Sequence, residues 1–133
     1  MIKNLLTGLF GLSILIAAFS CSKSDTNTPA ANTITGKWNG SITGAGGPSR
    51  LITFNFKTGG SFAVDSSSTS ITELAVGTWT LAADSARATF TYLNGILGTY
   101  SIAGKYSADF TTMTGTQGIN SQTSGYGTFA VAK

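Results

Sequence analysis

In Ile34-Thr35-Gly36-Lys37-Trp38-Asn39-Gly40-Ser41-Ile42, apolar or glycine positions alternate strictly with polar ones. Successive side chains of a strand point to opposite faces, so this alternation predicts a strand with one face buried. The same alternation recurs in Ile52-Thr53-Phe54-Asn55-Phe56 and in Phe62-Ala63-Val64. Thr58-Gly59-Gly60 between them is a turn signal, and a three-residue loop sets Phe56 opposite Phe62 and Phe54 opposite Val64 on one face.

A second hairpin is expected next. With Asp84-Ser85 as a two-residue turn, Trp79 pairs with Phe90 and Leu81 with Ala88. The following connection contains Asn94-Gly95, a strong hairpin dipeptide. A two-residue loop there would set Phe90 against Thr99 and turn Tyr100 to the other face. An odd-length loop or bulge instead pairs Phe90 with Tyr100 and Ala88 with Ile102, and is the expected arrangement. Two further strands are expected at roughly 109–117 and 125–132.

The count is then about eight short strands with turns between them and no long amphipathic helical stretch. The fold class is all-β, and sequential hairpins favour a small antiparallel up-and-down barrel over residues 34–133. Its inward face is expected to carry Trp38, Phe54, Phe56, Phe62, Trp79, Leu81, Phe90, Tyr92, Tyr100 and Ile102. Such a lining either encloses a ligand cavity or fills the interior with side chains. On the first alternative Trp38, Phe54, Phe56, Trp79, Phe90, Tyr92 and Tyr100 are the candidate ligand-binding residues.

Residues 1–33 read differently. Met1-Ile2-Lys3-Asn4 carries one positive charge, and the run from Leu5 to Phe19 is almost without polarity before Ser20-Cys21. This is a signal-peptide layout, and the run falls short of the roughly 20 residues that span a bilayer as a helix. Residues 22–33 are small and polar with a proline, which is linker composition. Fully extended they reach about 40 Å. The expected organisation is a leader over 1–20, an N-terminus and linker over 21–33, and the barrel domain over 34–133.

Ala18-Phe19-Ser20-Cys21 resembles the lipobox of bacterial lipoproteins, in which a small residue precedes the cysteine that receives lipid and becomes the first residue. The resemblance implies lipidation, with acyl chains such as palmitate, at Cys21. It also implies a membrane partner through that lipid and a cell-envelope, outer-membrane location facing the periplasm or the surface. Ser22-Lys23-Ser24-Asp25 is similar to the start of lipoproteins from Bacteroidota. Asp84-Ser85-Ala86 matches the short O-glycosylation pattern of that group, with Ser85 as the acceptor at a hairpin tip.

Gly36-Lys37-Trp38 resembles the Gly-x-Trp signature of lipocalins, with echoes at Gly77-Thr78-Trp79, Gly98-Thr99-Tyr100 and Gly127-Thr128-Phe129. The resemblance implies a lipocalin-like barrel whose indole plugs one end. That family also packs a last-strand arginine over the tryptophan; here the last strand ends in Lys133.

Inventory narrows the chemistry. The chain has no histidine and one cysteine, so a catalytic triad, an ordinary zinc site and an intrachain disulfide are all excluded. Asp65 with Glu73 is the one conceivable carboxylate pair, and solvated loop acids are the preferred reading of both. No enzyme activity, cofactor or metal is expected. Net charge is +3 with Lys3 counted, and the basic residues at 23, 37, 50, 57, 87, 105 and 133 stand singly, which disfavours nucleic acid. Asp65-Ser66-Ser67-Ser68-Thr69-Ser70 reads as a flexible loop or a lid over the barrel mouth. The functional expectation is a small apolar ligand or glycan bound by the barrel. The alternative is a filled barrel that docks another envelope protein.

Overall fold

A computed structural model describes residues 33–65 and 73–133. The leader, Cys21, all of the linker but Thr33, and Ser66 to Ser70 of the serine-rich loop lie outside the described residues.

Eight strands follow one another: β1 (Gly36–Gly44), β2 (Ser49–Phe56), β3 (Ser61–Asp65), β4 (Glu73–Ala82), β5 (Ser85–Tyr92), β6 (Thr99–Tyr106), β7 (Thr112–Ile119) and β8 (Gly127–Ala132). Each pairs antiparallel with the next, and β8 returns to β1, so the sheet closes into an up-and-down barrel. Closure gives every strand a neighbour on both sides, though β3 covers β2 only over Thr53–Phe56. Outward positions of β1 and β5 are polar (Lys37, Asn39, Ser41; Arg87, Thr89, Thr91), while Trp38, Phe54, Phe56, Phe62, Phe90, Ile102 and Met113 are buried inside. No helix among the described residues is long and apolar enough to cross a membrane.

The first hairpin has the expected register, with Phe54 opposite Val64 and Phe56 opposite Phe62. A short 3-10 turn over Thr58–Gly60 makes the connection, and Gly59 and Gly60 supply its φ of 76° and 82°. The odd-length β5–β6 loop also holds, since Phe90 faces Tyr100 and Ala88 faces Ile102.

The β4–β5 register is a correction. Trp79 lies opposite Ala88 and Leu81 opposite Ala86, while Phe90 faces Gly77. The turn is Ala83-Asp84 rather than Asp84-Ser85, and Ala83 takes the φ of +54° that a tight two-residue loop needs at its first position. A slip of two residues keeps every side chain on its face, so the alternation alone does not distinguish the two registers. Packing favours the observed one, in which the Phe90 ring lies across glycine rather than against an indole. The slip carries Leu81 toward the hairpin tip, where it is 50% exposed instead of lining the interior.

Strand boundaries differ in three places. Ile34 precedes β1 and tucks beneath the barrel, and the chain turns upward through Gly36 at φ +121°. β7 begins at Thr112 because Ser107 to Thr111 form a turn, in which the Ser107 hydroxyl and the Asp109 carboxylate accept from the Thr111 amide. β8 begins at Gly127, after Gly125 at φ +91°.

The two ends of the barrel carry different loops. Thr33, the β2–β3, β4–β5 and β6–β7 connections and the C-terminus gather at one end, which is closed. Trp38 is fully buried there, and its indole N–H donates to the Ile34 carbonyl at 2.7 Å. Lys133 Nζ sits 5.7 Å from the Trp38 ring centroid and donates to the Thr33 carbonyl at 2.6 Å. The Trp79 indole N–H donates to the Lys57 carbonyl at 2.8 Å, and the Tyr106 hydroxyl to that of Ala83 at 2.9 Å. Above this floor, Phe54, Phe56, Phe62, Phe90 and Phe129 interlock with ring centroids 5.0 to 5.6 Å apart. Gly104 and Gly115 oppose one another on β6 and β7, and a Cβ on either would stand 2.7 Å from Phe129 Cζ. Two missing side chains make room for one ring, which keeps the middle of the barrel close-packed.

Candidate functional site

At the other end the β1–β2, β5–β6 and β7–β8 connections surround an open mouth holding a pocket of about 340 Å³. Its wall is Ile42 of β1, Arg50 of β2, Tyr92 of β5, Tyr100 of β6, Gln117 of β7, and Ile96 and Tyr126 from the loops. Strand alternation puts these groups there. Ile42 is on the inward face of β1 beyond Trp38 and Gly40, and Arg50, opposite it in register, is the inward residue of β2 beyond Ile52.

The tyrosines form a continuous wall. Tyr92 and Tyr100 meet edge to face at 5.1 Å, and Tyr100 and Tyr126 at 5.8 Å. Tyr100 also stacks on Phe90 at 6.0 Å, which ties the wall to the packed core beneath. Burial pushes the Tyr92 phenol above its ordinary value, and Tyr100 and Tyr126 add to the rise, while the Arg50 charge opposes it. The three hydroxyls and the cation therefore share one partly desolvated space.

Gln117 is 4% exposed and lines the pocket. None of the side-chain hydrogen bonds among the described residues uses its amide, although neighbouring polar groups are paired: Ser101 donates to the Asn120 carbonyl at 2.6 Å and Thr116 to that of Thr123 at 2.7 Å. Arg50 likewise has no carboxylate partner among the described residues. The acids there are engaged elsewhere: Asp65 with Lys37 at 3.0 Å, Glu73 with Lys57, Asp84 with Lys105 at 3.1 Å, and Asp109 within its own turn.

The residues singled out from the sequence divide between the two zones. Tyr92 and Tyr100 line the mouth. Trp38, Phe54, Phe56 and Phe90 are buried in the packed interior, and Trp79 packs against Phe56 at the closed end. Ile42, Arg50, Ile96, Gln117 and Tyr126 were not singled out. One of them had a signal: along Met113, Gly115, Gln117, a long polar side chain falls on the face that is otherwise apolar or glycine.

Other candidates stand as follows. Asp65 and Glu73 are register partners on β3 and β4, but each is tied to a different lysine. Asp65 is 4% exposed, and its Oδ1 has no partner, so it is a buried acid rather than a solvated loop acid. Ser85 begins β5 beside the turn and donates to the Asp84 carboxylate at 3.0 Å. A second recess of similar volume lies against the outer wall, lined by Thr78, Arg87, Thr89, Ser101 and Thr123 among others. Its Ser101 hydroxyl is already spent on Asn120, and it has no ring wall comparable to the mouth. No three histidine, cysteine or acidic side chains gather as a metal site among the described residues.

Comparison with known protein families, characterised proteins and solved structures found no match to this chain.

Proposed function

We propose that this chain is a lipid-anchored envelope protein whose barrel holds a small ligand at its open mouth, above a solid core. The observation that carries the binding reading is the mouth pocket, where three tyrosine rings share the wall with Arg50 and the largely buried Gln117. Ligand sites are concave and mostly apolar, with a few convergent polar groups, and occupy about 300–1,000 Å³. This one is at the small end of that range. A compact ligand fits, and a long acyl chain does not.

The anchoring reading rests on the leader and on Ala18-Phe19-Ser20-Cys21. A lipid at Cys21 would join the barrel through Thr33, at the closed end, and two or more acyl chains would hold it stably. The lipocalin-like reading gains support from Gly36-Lys37-Trp38 at the closed end, where Lys133 covers the indole as that family's arginine does.

A second reading, docking of another envelope protein, is favoured by one observation. The β5–β6 loop exposes Leu93, Ile96 and Leu97, the last at 93%.

Native mass spectrometry of the protein purified from its own envelope tests these readings together. The expected species begins at Cys21, carries the mass of its acyl chains, and retains a small molecule of a few hundred daltons or less. A species without acyl mass contradicts the anchor. A retained protein partner with an empty mouth favours docking.

A further inference from the structure

Building on the mouth as a binding site, we infer that its ligand is a single six-membered ring bearing a carboxylate, with Arg50 holding the acid and Gln117 a polar group on the ring's inner side. Four observations converge on that class. The pocket of about 340 Å³ accommodates one ring and its substituents. Its wall is the edge-to-face cluster of Tyr92, Tyr100 and Tyr126, and such a wall packs on flat ring faces. Arg50 stands at the rim with every acid among the described residues already engaged elsewhere, so its guanidinium is free to fork onto a carboxylate. Gln117, 4% exposed and lining the pocket, offers a donor and an acceptor there.

Charge separates the carboxylate from a phosphate. Among the described residues Arg50 is the one cation lining the mouth. A single cation balances a monoanion and leaves a phosphate dianion undercompensated where Tyr92 is already partly desolvated. Within the class, the ring can be aromatic or a sugar, because both present an apolar face to tyrosine and a carboxylate to arginine.

Calorimetric titration of the full chain in a mild detergent tests this with two matched pairs: benzoate against benzamide, and glucuronate against glucuronamide. At least one acid should bind roughly tenfold more tightly than its amide, as charge-assisted pairing implies. Arg50→Gln should erase that difference by weakening binding of the acid; Arg50 is exposed, so the variant keeps the fold. Preference for benzoate assigns the site to aromatic acids, and preference for glucuronate to acidic sugars. If acid and amide bind equally, the ligand class is wrong and the binding reading stands. If none of the four saturates the site, both are wrong.

Discussion

The closed and open ends of this barrel are built from the same residue types and treat them oppositely. At the closed end aromatic polar groups are spent on the fold: both indole N–H groups and the Tyr106 hydroxyl donate to backbone carbonyls, and Lys133 lies over Trp38. At the mouth, Tyr92, Tyr100, Tyr126, Arg50 and the Gln117 amide have no such partners among the described residues. Polar groups that the fold does not pair stay open to water or to a ligand. The difference indicates which end is structural and which is available for binding, and it orders the expected effects of substitution.

The largest effect belongs to the closed end. Trp38→Ala removes the fully buried indole and should cost about 3–5 kcal/mol in urea unfolding, the usual range for deleting a core ring. Tyr126→Ala at the mouth should cost under about 1 kcal/mol, as for a partly exposed side chain. Equal losses at the two positions would erase the distinction between the ends.

Next in size is the packed middle. Gly104→Val would drive a side chain into Phe129 and Met113, and overpacking of this kind costs about 1–3 kcal/mol. A wild-type unfolding midpoint in that variant would mean that the middle has slack the packing does not reveal.

These two zones also show what the chain discloses by itself. Alternation along β1, β2 and β3 and the Gly59-Gly60 turn were enough to read the first hairpin residue by residue, because an error of one position would turn Phe54 and Phe56 outward. The β4–β5 register escaped that test, since a slip of two preserves the faces, and the positive φ of Ala83, which alanine disfavours, has no sequence signal. The site was less legible than the fold. Large rings mark the inside of a barrel but do not say at which height they lie, so Phe54 and Tyr100 looked alike. Height follows from strand order and closure, and these bring Arg50, Gln117 and Tyr126 together from three distant segments.

A smaller effect is expected from Lys133→Gln, which removes the cation over Trp38. The loss should be about 0.5–1 kcal/mol, the range for an exposed cation–π contact, measured against the same urea baseline. An unchanged midpoint would remove Lys133 from the closure of that end.

The mouth should respond to alkali. Burial raises the Tyr92 phenol above its unfolded value, so its contribution to stability is complete below about pH 10, the ordinary tyrosine value, and is lost as pH rises through the higher folded value. Ultraviolet titration should show one late-ionising tyrosine that disappears in Tyr92→Phe, and that variant should lose stability less steeply above about pH 10. Retention of the late step in Tyr92→Phe would assign it to another tyrosine.

The most direct test of a solid barrel with a binding mouth is isoleucine methyl NMR during titration with benzoate and with glucuronate. Ile42 and Ile96 line the mouth, whereas Ile34 lies beneath Trp38 and Ile52 and Ile102 lie in the packed interior. Saturable shifts at Ile42 and Ile96, with Ile34 and Ile52 unmoved, are the predicted result. Shifts centred on Ile34, Ile52 and Ile102 would place the ligand inside the barrel and contradict the account.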